Sequence, residues 1–160
     1  LLGSELNQEF SSLAGSEYYF EKTKSYAGRI SIDMEYEKKI QNCVLDLFAE
    51  NLISHAQDIS DGGLLVALAE LCMNYSVGFT AKDVDLSSRY DATFFGEKES
   101  RLLICADEEN LDKIFNYTER LSVPCEEIGA FNSDDHQKKL IFGPIDIQVS
   151  ELKSAHEKTF

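Results

Sequence analysis

His55-Ala56-Gln57-Asp58-Ile59-Ser60-Asp61-Gly62-Gly63-Leu64 is the stretch on which the fold turns. The run from Ile53 to Ser60 is short and extended in character, and Asp61-Gly62-Gly63 breaks it. Leu64 to Tyr75 then sets Leu64, Leu65, Leu68, Leu71 and Cys72 on one broad apolar face. Strand, glycine turn and buried helix follow from that order. Units of this kind build α/β folds.

Upstream, Tyr36, Ile40, Val44, Leu47 and Phe48 recur at three- and four-residue spacing, which predicts a helix from Asp33, its N-cap, to Leu52. The first thirty residues are weakly patterned, punctuated by Gly3, Gly15 and Gly28, with a short aromatic helix over Ser16 to Lys24; a surface crossing is expected there. Downstream, Val77 to Ala81 alternates like a strand and Arg101 to Ala106 is continuously apolar, as a central strand would be, with a polar loop expected between them. Asp107 is the expected cap of an acidic-started helix running to about Leu121, where Pro124 bars continuation. Cys125 to Phe131, Lys139 to Phe142 and Ile145 to Val149 read as strands, and Ser150 as the cap of a closing helix. The chain is expected to be one domain, residues 1–160, of α/β class and α+β type, with a mixed sheet of about five strands and about four helices.

Composition narrows the partners. Fifteen Lys and Arg stand against 29 Asp and Glu, a net charge of -14, which opposes contact with a phosphate backbone, so no nucleic acid is expected. No apolar run is long enough for a membrane span and no signal peptide is recognisable, so no membrane is expected. Cys43, Cys72, Cys105 and Cys125 are widely spaced in apolar surroundings, and His55, His136 and His156 do not complete a zinc set. They read as thiols of a reducing compartment, which predicts a cytoplasmic location. The chain opens on Leu1 and closes on Phe160, which reads as a piece excised from a longer chain.

Two segments could carry chemistry. Around Asp58, Ser60, Asp61, Gly62 and Gly63, the glycines let the backbone approach a ligand, the first amides of the helix suit a phosphate, and the two carboxylates suit Mg²⁺ or a ribose hydroxyl. On the residues alone a capped turn is the simpler reading, with Ser60 or Asp61 as the cap. In Phe94-Phe95-Gly96-Glu97-Lys98-Glu99-Ser100-Arg101, Glu97 and Arg101 either bracket a polar substrate or form a surface ion pair. Asp83 with Asp85 reads as a solvated pair, and Asn132 to His136 as a hairpin tip. No Ser/His/Asp or Cys/His triad, P-loop or dinucleotide fingerprint is present, and no catalytic residue is assigned.

In this order, Asp58-Ile59-Ser60-Asp61-Gly62-Gly63-Leu64, Ala67-Leu68-Ala69-Glu70, Phe95-Gly96-Glu97 with Ser100-Arg101, and Ile128-Gly129 resemble the C-terminal domain of the aminoimidazole ribonucleotide synthetase superfamily. Within it the likeness is to the phosphoribosylformylglycinamidine synthases, and Leu1-Leu2-Gly3 and Gly15-Ser16-Glu17-Tyr18 look like the approach to the second such domain in those enzymes. The resemblance spans nearly the whole chain. It implies an ATP-dependent amidine-forming ligase of purine biosynthesis, using ATP and Mg²⁺ in the full-length enzyme. Its small-molecule substrate would be formylglycinamide ribonucleotide, and its ammonia would come from a glutamine amidotransferase domain or subunit.

The remaining domains of the parent synthase are implied partners, and the isolated domain is expected to be inactive. Asp58, Ser60, Asp61, Gly62 and Gly63 would then hold nucleotide or phosphate, and Glu97, Ser100 and Arg101 would shape the cleft wall. Gln57 departs from the family pattern, which more often has His there, so that histidine's role does not carry over; Lys98 and Glu99 depart in the second loop, and this copy is expected to form part of a nucleotide cleft or of a pseudo-active-site cleft. The competing expectations are a purely structural or amidotransferase-docking domain, and another ATP-dependent member of the same superfamily.

Overall fold

The structure is a computed structural model and describes residues 1–83, 86, 89–133 and 138–158. Asp85 and the tip residues Asp134, Asp135 and His136 lie outside the described residues.

The decisive stretch folds as read. Strand β1 (His55–Asp58) leads through Gly62 and Gly63, both left-handed at φ +84° and +75°, into helix α3 (Gly63–Tyr75). α3 buries Leu64, Ala67, Leu68, Leu71 and Cys72, and ends where Ser76 turns left-handed. Neither Ser60 nor Asp61 caps it: the cap position is Gly62, which has no side chain to offer, and the Gly63 amide donates to the Ser60 carbonyl at 2.9 Å.

Before these come α1 (Glu17–Thr23), capped by the Ser16 hydroxyl, and α2 (Met34–Ala49). One Asp33 carboxylate oxygen accepts from the amides of Glu35 and Tyr36 at 3.0 Å, as the N-cap reading requires. Ile40, Cys43, Val44 and Leu47 form the buried stripe of α2, whereas Phe48 is 40% exposed.

After α3 follow β2 (Gly78–Ala81), α4 (Tyr90–Phe95), β3 (Leu102–Cys105), α5 (Leu111–Arg120), β4 (Gly129–Asn132), β5 (Lys139–Phe142), β6 (Ile145–Gln148) and α6 (Val149–Glu157). The mixed α/β class stands, and among the described residues the strands divide into two sheets. β1 and β3 pair antiparallel, and a second sheet has the order β4-β2-β5-β6, with β2 parallel to β5 and antiparallel to β4.

Further expectations are corrected. The polar loop before β3 contains α4, whose Ala92, Thr93 and Phe94 are buried; six residues are too few to show a helical period. Asp107 makes no side-chain cap, because a 3₁₀ turn (Glu108–Asn110) precedes α5. α6 begins at Val149, so Ser150 lies inside it.

The surface crossing holds for residues 17–30, none of which is buried, but not for the start of the chain: Leu1, Leu2, Leu6 and Leu13 are 0–4% exposed. Leu2 exchanges backbone hydrogen bonds with Leu102 at 2.9 and 3.0 Å, and Gly3 donates to the Pro124 carbonyl at 2.8 Å. Three residues therefore lie as an extra strand between β3 and the Cys125 region, too short a run to declare itself by alternation. Leu1 packs in the core around α3 and Leu2 in the core around α2. Among the described residues no helix is long and apolar enough to cross a membrane.

Candidate functional site

Four elements meet at the glycine corner. α4 ends at Phe95 with its backbone against Gly63; a Cβ on Gly63 would stand 2.7 Å from the Phe95 Cα and carbonyl carbon. Gly96 is equally confined, its missing Cβ falling 2.3 Å from the Ser12 hydroxyl, and the Glu97 amide donates to the Ser12 carbonyl at 2.9 Å. Tyr18 of α1 stacks on Phe95 with ring centroids 4.6 Å apart. Close packing of α1, α3, α4 and the 3₁₀ turn Phe10–Leu13 thus fixes where Glu97 can reach.

Its carboxylate reaches the corner itself. Glu97 Oε1 accepts from the Gly62 amide at 2.8 Å and from the Glu17 amide at 2.9 Å. With the Gly63 amide given to Ser60, both glycine amides expected to face a phosphate donate within the chain. Asp58, Ser60 and Asp61 remain exposed at the rim. Tyr26 donates to Glu17 Oε1 at 3.0 Å; that bond is the first cause raising its phenol above the ordinary value, and the Glu97 and Asp61 charges add to it. Three carboxylates therefore gather here, those of Glu17, Asp61 and Glu97.

The other two residues expected on the cleft wall turn inward. Ser100, left-handed at φ +60°, donates to a Glu37 carboxylate oxygen in α2 at 2.6 Å. Arg101 is 2% exposed; its Nε donates to the Ser4 hydroxyl at 3.0 Å and its Nη1 to the Gly96 carbonyl at 3.3 Å. Nη2 has no partner, and burial pushes the guanidinium down to about 10. The bracket or ion pair of Glu97 with Arg101 does not form, because the Gly96 carbonyl draws Arg101 into the core while Glu97 leaves toward the corner.

Gln57 donates to a Glu70 carboxylate at 2.9 Å, and His55 Nδ1 lies 3.3 Å from the Tyr75 hydroxyl, so both are tied to α3. All four cysteines are free; Cys43 and Cys72 are buried and their thiols are pushed up to about 11, while Cys105 and Cys125 are half-buried and also raised by burial. Among the described residues no group of three or more His, Cys, Asp or Glu could hold a metal. A cavity of about 540 Å³ opens elsewhere, between β3 and β4, lined by Leu103, Cys105, Ile114, Cys125, Ile128 and Phe131. Its apolar walls come from segments with no common sequence signature. The pair of hydrogen bonds accepted by Glu97 is likewise invisible in sequence, since its partners lie 35 and 80 residues away.

Residues 2–140 match the family described as AIR synthase related protein, C-terminal domain. The chain is 34% identical over 157 residues to phosphoribosylformylglycinamidine synthase subunit PurL of Thermomicrobium roseum, covering 95% of this chain and 20% of that protein. It is 31% identical over 165 residues to the same subunit of Prochlorococcus marinus, covering 98% and 21%. The chain thus spans about a fifth of the length of these relatives. Among solved structures, T. maritima PurL complexed with FGAR superposes with a TM-score of 0.73 at 16% identity, over 94% of this chain and 27% of that one. The structure of PurLQS from Thermotoga maritima does so at 0.68 and 16%, over 94% and 25%. At such identity the likeness is one of fold.

Proposed function

The chain belongs to the family of AIR synthase related proteins, as a C-terminal domain of that kind, and from that premise we propose that it serves a phosphoribosylformylglycinamidine synthase. The enzyme converts formylglycinamide ribonucleotide, ATP and glutamine-derived ammonia to the amidine, ADP and phosphate. The observation that carries this reading is relatedness along 95–98% of the chain to subunits bearing that name. The chain is then one domain, the second of its kind, of a longer cytoplasmic polypeptide. The other domains and a glutamine amidotransferase are its partners.

The reaction asks little covalent chemistry of the protein, since phosphoryl transfer depends on positioning and on neutralising charge. Mg²⁺ commonly takes one or two carboxylates and completes its shell with substrate phosphates and water. Exposed Asp58 and Asp61 suit that donor set, with Ser60 beside them. Held there, Mg²⁺ would neutralise phosphate charge. A cradle of amides is a poorer fit, because the Gly62 and Gly63 amides donate within the chain. Ser100 and Arg101 act as positioning residues, anchoring the loop that carries Glu97 to α2 and to the core. The domain contributes a carboxylate rim to an ATP cleft or pseudo-site and no catalytic residue.

The internal use of both amides also favours the structural or docking reading. ATP- and Mg²⁺-dependent amidine formation with ammonia, measured on the full-length parent with Asp58→Ala and Asp61→Ala, separates the two. A parent that forms amidine and whose KM for ATP rises about tenfold in either variant supports the rim. An active parent with unchanged KM leaves the domain structural, and a parent inactive with ammonia removes the purine assignment in favour of another ATP-dependent member of the superfamily.

A further inference from the structure

Helix α3 starts without a side-chain cap, and the Ser16 cap of α1 serves the Tyr19 amide, leaving the Glu17 amide unserved by its own helix. Such amides are partly positive and need an acceptor. A single atom, Glu97 Oε1, meets one from each helix, Gly62 at 2.8 Å and Glu17 at 2.9 Å. We infer that Glu97 is a built-in anion: it closes the glycine corner against phosphate and pins the start of α1 to the start of α3.

Three features set it up. Arg101, buried at 2% exposure, holds the Gly96 carbonyl, and the Ser12 carbonyl holds the Glu97 amide, so the loop is fixed on both sides of the Gly96–Glu97 peptide. Gly63 and Gly96 are bare where α4 closes on α3 and on Ser12, which brings the Glu97 backbone near enough for its side chain to span both helices. The Glu17 and Asp61 carboxylates stand close enough to act on the same Tyr26 phenol as Glu97, so the charge around the corner is negative and disfavours phosphate. Charge and hydrogen bonding therefore work in one direction. The corner accepts a carboxylate of this chain and rejects a mobile anion.

The consequence bears on the rim proposed above without resting on it. Whatever nucleotide the parent binds, its phosphates find no free donor at Gly62, and only Asp58 and Asp61 of this segment remain to meet a metal. The domain is then a partner to phosphate carried elsewhere, held in a fixed geometry by its own glutamate.

The test follows the Gly62 and Glu17 amide resonances of the ¹⁵N-labelled chain. Titrating inorganic phosphate to about 20 mM, roughly twenty times a millimolar Kd, is expected to leave both unmoved in the parent sequence. In Glu97→Gln, whose side-chain carbonyl still accepts but carries no charge, both resonances are expected to shift upfield together, and hydrogen exchange at both amides to quicken about tenfold. A saturable phosphate shift at Gly62 in the parent sequence overturns closure. Independent behaviour of the two amides in Glu97→Gln, or movement of neither, overturns the shared contact. An unchanged KM for ATP in Asp58→Ala and Asp61→Ala of the full-length parent would sink the nucleotide reading and leave this one standing.

Discussion

Arg101 and the cysteines show how a side chain's surroundings decide what it contributes. A guanidinium with two hydrogen bonds, one idle nitrogen and 2% exposure gives up much of its solvation. Replacing it with Met removes the buried charge along with the bonds, so Arg101→Met is expected to stay within ~1 kcal/mol of the parent in urea denaturation. Arg101→Ala removes the volume too and is expected to cost ~3–5 kcal/mol. A Met variant as damaging as Ala would mean the charge is stabilising.

The thiols of Cys43 and Cys72 are pushed from 9.0 up to about 11, so the folded state keeps protons that the unfolded state releases first. Their contribution is intact below pH 9 and is lost as pH rises toward about 11, by ~2–3 kcal/mol per thiol at most. Arg101, lowered from 12.5 to about 10, acts in the opposite sense but only above pH 10, where its folded form sheds a proton first. The clean window is pH 9 to 10. Unfolding midpoints are expected to fall there, and to fall less in Cys43→Ala with Cys72→Ala.

At the scale of elements, the glycine corner separates residues of one composition by what each faces. Gly62 and Gly63 are both left-handed, which costs an L side chain ~1–2 kcal/mol. A Cβ on Gly62 meets the Val66 side chain, 2.6 Å from Cγ2, whereas one on Gly63 meets Phe95 backbone at 2.7 Å. Side chains yield more readily than a packed backbone, and overpacking adds ~1–3 kcal/mol. Gly63→Ala is therefore expected to destabilise more than Gly62→Ala, by at least ~1 kcal/mol in denaturant midpoints; the reverse order would mean that α4 does not press on α3 as described.

The same corner marks what a sequence can disclose. α2 and α3 were legible because their apolar periods run through three or more turns, and β5 with β6 because Gly143-Pro144 separates two short apolar runs. α4 was hidden by its length, and the start of α5 by a 3₁₀ turn that has the composition of a cap. The rim residues Asp58, Ser60 and Asp61 were legible as exposed polar groups beside glycines. Glu97 was legible as a loop residue, but its two amide partners come from long-range packing, to which no local pattern refers.

For the whole molecule, the open question is whether two cores behave as one. Leu1, Leu6 and Leu64 belong to the cluster around α3 and the four-stranded sheet, Leu2, Ile40 and Ile114 to the cluster around α2 and α5. Successive residues of an extended strand point to opposite faces, and Leu1 and Leu2 use that alternation to place one side chain in each. The backbone between them is hydrogen-bonded on both edges, to Leu102 of β3 and, through Leu1 and Gly3, to Glu126 and Pro124. Leu2 is fully buried, so Leu2→Ala is expected to cost ~3–5 kcal/mol through lost contact and the cavity left behind. If the Leu1–Gly3 strand couples the cores, that loss appears as one cooperative transition, and amide protection falls by the same free energy in α2 and in α3. Protection lost from α2 alone would show two units joined loosely, since a cavity confined to one core would leave the other's opening unchanged. The backbone bonds favour coupling: opening either core by separating β3 from Leu2 breaks the pairing that also holds Leu1 in the other.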